Sequence, residues 1–117
     1  MPRVDFVDIL LDDLRMFEKY RKNLVGYAKM IKGVVRRRDP EGRVLIFGST
    51  VKGEARPDSD IDVLVVTELA GDLDERLRLR MEIARAIGDA TPFEIHIVTR
   101  GEFEGWYMRF IDEYVEV

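Results

Sequence analysis

Apolar residues recur at helical spacing over the first third of the chain. Between Asp5 and about Arg38 they lie three, four or seven positions apart, which is the period of one helix face. Gly26 weakens the middle of this stretch, so the pattern predicts either one long bent helix or two in succession. The arginines at 36–38 suit a helix C-terminus, and Asp39 to Gly42 supplies residues that end a helix. The residues on this face are Val7, Leu10, Leu14, Phe17, Leu24, Ala28, Ile31 and Val35.

Three short apolar runs further along the chain have the composition of β-strands. They comprise residues 44–47, 61–66 and 93–98, each rich in β-branched or aromatic residues and bounded by turn residues. The second run is apolar on both faces after its start, which favours a central position in a covered sheet. Residues 48–53 form a turn or a short helix start, and residues 54–59, including Pro57, form a polar loop.

Two further helices are predicted after the second and third strands. Asp72 and Glu75 have capping-box spacing at the start of one helix, and Gly88 is suited to end it. Beyond Gly101, helical spacing of aromatic residues predicts a helix that extends to about residue 115. The first of these helices is expected to bury one face, formed by Leu73, Leu77, Met81, Ala84 and Ile87. The aromatic face of the second comprises Phe103, Trp106, Tyr107, Phe110, Ile111 and Tyr114.

This element order predicts an α/β (α+β) fold in one domain over residues 1–117. The expected core, residues 43–98, is a small mixed three-stranded sheet packed by helices, with helical flanks at 5–38 and 101–115. A chain of 117 residues with 46% apolar residues can supply one ordinary hydrophobic core. Such a small domain cannot bury all of its C-terminal aromatic residues, and an exposed one would mark a partner surface.

Charge and composition exclude several classes of protein. The 19 Lys and Arg residues against 23 Asp and Glu residues, a net charge of −4, argue against a nucleic-acid-coating protein. The absence of cysteine excludes disulfides and thiolate zinc sites. Four aspartates in the first 14 residues argue against a signal peptide, and no apolar run approaches the roughly 20 residues of a membrane span. The sequence therefore predicts a soluble, cytoplasmic protein and leaves a homo-oligomer open.

Two carboxylates, Asp60 and Asp62, open the otherwise apolar second strand. Because side chains alternate in a strand, both are expected on one face, with Cα atoms about 6.6 Å apart. Unpaired carboxylates in this position would repel each other and be costly to desolvate, whereas a hard divalent ion such as Mg²⁺ removes that cost. Taken alone, an Asp-x-Asp sequence is more often a polar turn followed by an edge residue paired with an arginine.

A second polar cluster follows the first strand. Gly48 allows a ligand to approach the backbone, and Ser49 offers a hydroxyl and N–H groups where a helix is expected to begin, which suits a phosphate group. Lys52 can add positive charge, and Arg56 in the following loop can bind phosphate or pair with neighbouring acids. The sequence lacks the Gly-Lys-Ser/Thr ending of a Walker loop.

The combination of strand, Gly48-Ser49, ten further residues and Asp60-Ile61-Asp62 at the start of another strand resembles a known motif. It is similar to that of the DNA polymerase beta-like nucleotidyltransferase superfamily, and the chain length resembles the minimal nucleotidyltransferase (MNT) group. The resemblance implies a palm-like core in which Gly48 and Ser49 hold the triphosphate. It also implies that Asp60 and Asp62 bind two Mg²⁺ ions.

The family also uses a third carboxylate from a later strand. Glu94 is the candidate that lies within a strand, and it shares a face with His96 and Val98. The resemblance implies that Glu94 is either a general base or a third metal ligand, although many relatives have aspartate here. Asp89 and Glu102 fall at or beyond the strand ends and are poorer candidates. His96 is the only histidine; a histidine in such a setting is more often structural, and its place on the face of Glu94 leaves a role in the site open.

The resemblance further implies transfer of AMP from ATP to a hydroxyl group. Because no acceptor domain fits in this length, either the acceptor docks on the bare core or a partner protein presents it. In the MNT group that partner is a HEPN-family helical toxin neutralised by the MNT antitoxin, and this is the expected acceptor. Two alternatives stay open. The chain can be a non-catalytic antitoxin that neutralises its partner by contact, or a nucleotidyltransferase that acts on an RNA end, which the net negative charge disfavours.

Overall fold

A computed structural model describes residues 5–56, 58–111 and 113–117, with Asp13 described by its backbone alone. Pro57, which the sequence places in a loop, lies outside the described residues. Besides two short 3₁₀ turns at Glu68–Gly71 and Tyr107–Arg109, the described part contains five helices and four strands. They are α1 (Phe6–Lys22), α2 (Leu24–Arg38), β1 (Arg43–Phe47), α3 (Ser49–Lys52), β2 (Ile61–Val66), α4 (Leu73–Ile87), β3 (Phe93–Val98), α5 (Arg100–Gly105) and β4 (Tyr114–Glu116).

The four strands form one mixed sheet in the order β3-β2-β1-β4. Strands β1 and β2 are antiparallel, β2 and β3 are parallel, and α4 lies in the crossover that parallel pairing requires. Strand β2 is central, as its continuous apolar run predicts, and the α/β fold class and the three expected strands are confirmed. The fourth strand was not predicted.

The two faces of the sheet are covered unequally. On one face, α2 and α4 pack on the sheet through a cluster of buried residues that includes Ile31, Val63 and Ile83. On the other face, a smaller cluster is covered by Phe103 of α5. Its remaining buried members are Leu45, Leu64, Val66 and Val98. Because side chains alternate along β2 and β3, Asp62, Glu94 and His96 lie on this thinly covered face.

The N-terminal helical region is two helices, the second of the two arrangements that the sequence allowed. The break falls at Asn23, whose φ and ψ of −119° and 39° are not helical, rather than at Gly26. Gly26 still contributes, because a Cβ at that position would overlap the Asn23 side chain. The tyrosine near the end of α1 anchors that helix to the domain, since the Tyr20 hydroxyl donates a 2.9 Å hydrogen bond to the Ile87 carbonyl.

Helix α4 begins as predicted, and Ile87 is the one residue of the predicted face that is buried. Asp72 caps it by accepting hydrogen bonds from the N–H groups of Asp74 and Glu75. The Glu75 carboxylate pairs with Arg38 of α2 instead of closing the capping box. The prediction that Leu73, Leu77 and Met81 are buried is wrong, since they are 61%, 49% and 55% exposed.

The reason is that α4 carries apolar residues on two sides. Residues two positions apart point to nearly opposite sides of a helix, so periodicity alone cannot decide which side is buried. The buried side is formed by Leu79, Ile83 and Ile87, which face α2 and the sheet.

The prediction of a C-terminal helix over 101–115 is also wrong beyond Gly105. Helix α5, capped by Thr99 and Glu102, ends at Gly105, and β4 then pairs antiparallel with β1. Pairing satisfies the backbone groups of β1 along what would otherwise be an open sheet edge, and this gain overrides the helical spacing of the aromatic residues. Arg43 of β1 holds β4 through hydrogen bonds of 2.6 and 3.0 Å to the Glu116 carboxylate.

Helix α1 leaves most of its apolar residues in solvent. Phe6 is 71% exposed and Val7 is 59% exposed, and Ile9, Leu10 and Leu11 are also exposed. No helix among the described residues has the length and apolar character needed to cross a membrane. Exposed apolar side chains in such number are typical of a surface that contacts another protein.

Candidate active site

Strand pairing brings two predicted carboxylates side by side. Asp62 near the start of β2 is in register with Glu94 near the start of β3, and both lie on the thinly covered face of the sheet. Parallel strands place paired side chains close together on the same face. The sequence predicted both residues for one site, and the register brings them together there.

His96 completes a three-residue cluster with these carboxylates. Its Nε2 lies 3.6 Å from Glu94 Oε1 and 4.0 Å from Asp62 Oδ1. Each of the three residues offers one ligand atom, and these atoms lie within 4.8 Å of one another. The sequence placed His96 on the same face as Glu94, and the fold turns its imidazole towards both acids.

The environment of Asp62 disfavours its negative charge. Partial burial raises the pKa of its carboxyl above the usual value, and repulsion from Glu94 raises it further. Nearby His96 acts in the opposite direction, whereas a hydrogen bond with Glu94 and the charge of Asp60 add to the rise in pKa. Without a cation, the ionised carboxylate of Asp62 therefore destabilises the folded state.

This raised pKa gives a prediction for stability. A carboxyl whose pKa is higher in the folded than in the unfolded protein stabilises the fold at pH values below its unfolded pKa, and that contribution is lost as the pH rises through the folded pKa. Asp62→Asn, which removes the charge, is therefore expected to raise the melting temperature by a few degrees at pH 7 and by less near pH 4. Thermal denaturation in EDTA across this pH range measures the difference.

Asp58→Asn is the matched control, because Asp58 is exposed in the preceding loop. Its melting temperature should differ from that of the unmodified protein by a small amount that does not grow with pH. If the gain from Asp62→Asn were the same at every pH, burial of a charged carboxylate would not be the cause.

The Gly48-Ser49 turn lies directly against Asp62. Gly48 caps α3 with φ of 84° and ψ of −157°, a conformation that is essentially confined to glycine. A Cβ at Gly48 would overlap Asp62 Oδ2, so the turn reaches the carboxylate only because no side chain is present. Ser49 is the first residue of α3, as expected of a helix start.

The remaining predicted residues are more dispersed. Asp60 precedes β2 with an exposed side chain and is not part of the three-residue cluster, although its charge acts on Asp62. Lys52 ends α3 and is exposed. Arg56 lies along a different cavity of about 530 Å³, between α1 and the loop before Pro57, together with Arg15 and Arg21.

An aromatic wall stands beside the carboxylates. A cavity of about 360 Å³ is bounded by Asp62, Glu94 and His96 and by aromatic residues of the C-terminal segment. Trp106 and Phe110, which line it, are 60% and 66% exposed, with ring centroids 5.0 Å apart. The sequence indicated surplus aromatic residues at this end and did not place them at the carboxylates, because it assigned them to a continuous helix.

Comparisons with known proteins identify the family of this chain. The nucleotidyltransferase domain family model matches residues 28–114, which include β1, β2 and β3. A solved structure of a protein provisionally assigned as a nucleotidyltransferase is 31% identical, covers 79% of this chain and 98% of its own, and superposes with a TM-score of 0.67. A second provisionally assigned nucleotidyltransferase, from Sulfolobus solfataricus, is 20% identical over 92% of this chain and 83% of its own, with a TM-score of 0.49. No curated protein matches the chain.

The family match covers most of the chain, and it includes the Gly48-Ser49 turn and the carboxylates of β2 and β3. The predicted resemblance to the DNA polymerase beta-like and minimal nucleotidyltransferases is therefore confirmed. The chain belongs to the nucleotidyltransferase domain family.

Proposed function

We propose that this nucleotidyltransferase transfers AMP from ATP to a hydroxyl group of a partner protein and that the transfer depends on Mg²⁺. The partner proposed is a HEPN-family helical toxin, for which this chain is the antitoxin. The observation that carries the catalytic part of the proposal is the registered pair of Asp62 and Glu94 beside the Gly48 turn. General nucleotide transfer follows from the family, and the donor, metal and acceptor are proposals.

The donor set fits a divalent cation. Asp62 and Glu94 supply carboxylate oxygens, which are preferred ligands of Mg²⁺, and Asp60 lies near enough for its charge to act on Asp62. Burial, and then repulsion from Glu94, raises the pKa of Asp62, and a bound cation would favour the ionised carboxylate. When bound, Mg²⁺ supplies charge stabilisation for the phosphate oxygens during transfer.

The chain's own residues hold the reactants in the proposed reaction. Gly48 and Ser49 bind the triphosphate through backbone N–H groups and the serine hydroxyl. The acceptor hydroxyl oxygen bonds to the α-phosphorus as the bond from that phosphorus to the bridging oxygen breaks, and pyrophosphate leaves with the bonding electrons. Glu94 takes the proton of the hydroxyl as general base.

The surface supports a protein acceptor. The described residues leave large apolar side chains exposed on α1 and on one side of α4, including Phe6, Val7, Leu73 and Met81. Exposed apolar groups of this kind mark surfaces that bind other proteins, and helical partners suit helical faces. The net charge of −4 is unfavourable for an RNA acceptor.

The test uses ATP labelled at the α-phosphate, Mg²⁺ and a purified HEPN-family protein as acceptor. Label is expected on the partner from α-labelled ATP and not from γ-labelled ATP, because AMP rather than phosphate is transferred. The double variant Asp60→Asn/Asp62→Asn should abolish labelling. Asp58→Asn, which changes an exposed aspartate of the same loop, should label the partner as the unmodified chain does.

Two outcomes would contradict the proposal. Label transfer that persists in the double variant would remove these carboxylates from the mechanism. If the double variant still neutralised the partner and no label appeared with any variant, the chain would act by contact alone.

A further inference from the structure

We propose that His96 is a ligand of the same cation as Asp62 and Glu94, and that its nitrogen makes this site prefer a first-row transition ion such as Mn²⁺ over Mg²⁺. The inference rests on the proposed function in one respect, since it concerns the cation of the same site. It assigns to His96 a role that the carboxylate motif does not provide.

The distances fit a shared ion. Two ligand atoms bound to one ion through bonds of about 2.1 Å can be at most about 4.2 Å apart. The distances from His96 Nε2 to Glu94 Oε1 and to Asp62 Oδ1 are 3.6 and 4.0 Å, both below this limit. Neither of these two distances excludes a shared ion, and the three ligand atoms lie within 4.8 Å of one another, so side chains have to close only slightly wherever a pair exceeds the limit.

The position of His96 is fixed by its surroundings. It follows Glu94 by two residues on β3, so the two side chains share a face, and it is in register with Leu64 of β2. Its ring contacts Phe47 and Tyr107, with centroid distances of 5.8 and 5.9 Å. These contacts restrict the imidazole beside the acids, which lowers the entropy lost when it binds an ion.

A nitrogen ligand changes the metal preference of the site. Mg²⁺ favours oxygen ligands and keeps several waters, whereas first-row transition ions accept imidazole nitrogen as well as carboxylate oxygen. One imidazole and two carboxylates leave further positions on a six-coordinate ion for water or phosphate oxygens. The site would therefore retain room for a nucleotide while it discriminates between cations.

The closing experiment measures metal binding without nucleotide or acceptor. Mn²⁺ binding is followed by loss of the free-ion electron paramagnetic resonance signal, and Mg²⁺ binding by competition. The dissociation constant for Mn²⁺ is expected to be lower than that for Mg²⁺, and the part of this difference that is lost in the variant below reports the nitrogen ligand. In His96→Phe, which keeps an aromatic ring, the Mn²⁺ constant should rise about tenfold or more and the Mg²⁺ constant should change by less than about threefold.

A spectroscopic signature separates ligation from a purely structural role. Pulsed electron paramagnetic resonance of Mn²⁺ bound to the unmodified protein should show modulation from a ¹⁴N nucleus, and this modulation should vanish in His96→Phe. Absence of ¹⁴N modulation in the unmodified protein would overturn the proposal, even if the variant did not fold. Equal Mn²⁺ affinity in a folded His96→Phe protein would also overturn it.

The outcome is independent of the transferase proposal. A protein that binds Mn²⁺ through nitrogen and transfers no AMP would contradict the proposed function alone. A protein that transfers AMP and shows no nitrogen ligand would contradict the role of His96 alone.

Discussion

Replacing Glu94 with glutamine is expected to lower the rate of AMP transfer by about 10²- to 10⁴-fold, the usual contribution of a general base. Glutamine keeps the length of the side chain and cannot accept the proton of the acceptor hydroxyl. Glu94 is exposed and lies in register with Asp62, so the substitution removes a functional group at the site without opening the core. Single-turnover transfer from α-labelled ATP measures the rate.

The same variant distinguishes the two roles that the family resemblance allows Glu94. If Glu94 acts mainly as a metal ligand, a higher Mg²⁺ concentration should restore much of the rate, whereas loss of a general base is not restored. Asp89→Asn is the matched control, because Asp89 is an exposed carboxylate just before β3 and was the poorer candidate. A Glu94→Gln protein as fast as the Asp89→Asn control would remove Glu94 from the chemistry.

Short-range sequence patterns were enough to predict the three longer strands and the alternation of their side chains. The β-branched runs predicted β1, β2 and β3, and strand alternation placed Glu94 and His96 on one face before any pairing was known. The registered contact of Asp62 with Glu94 required one further step, the parallel pairing of β2 and β3, which the fold class implies. Local patterns thus placed Asp62 and Glu94 in strands, and the family resemblance was needed to assign both to one site.

The features that the sequence missed depend on competition between distant segments. Strand β4 forms because β1 offers a free edge and Arg43 offers a partner for Glu116, and neither is visible in the C-terminal sequence alone. Helix α4 has two apolar sides, and contact with α2 selects the side of Leu79. The aromatic wall beside the carboxylates has the same origin. The chain leaves the helix at Gly105 and continues to β4, and Trp106 lies in the segment between them, at the cavity.

The exposed position of Asp60 differs from the prediction for that residue. The prediction that Asp60 and Asp62 share one strand face assumed that both lie within the strand, and β2 begins at Ile61. Asp60 therefore lies just outside the regular alternation, while Asp62 joins Glu94 and His96. A role for Asp60 in holding a second cation remains a prediction.

Gly48→Ala is expected to have the largest combined effect on stability and activity of any single substitution in the turn. Gly48 adopts backbone angles essentially confined to glycine, for which another residue costs about 1–3 kcal/mol. The added Cβ would also overlap Asp62 Oδ2, so the carboxylate must move. We expect the melting temperature to fall by about 10 °C or more and AMP transfer to be lost. Thermal denaturation and the label-transfer assay measure the two effects.

Gly53→Ala separates backbone strain from the contact with Asp62. Gly53 ends α3 with φ of 73°, so alanine is strained there too, and no atom lies within 4 Å of the added Cβ. Its melting temperature should fall by about 4–8 °C, as about 1 kcal/mol of strain predicts, with AMP transfer retained. Adding Asp62→Ala to Gly48→Ala should raise the melting temperature by more than the same substitution does in the unmodified protein, because it also removes the overlapping carboxylate. If the two glycine variants behaved alike and the second substitution recovered nothing, contact between the turn and Asp62 would not explain why glycine is needed at position 48.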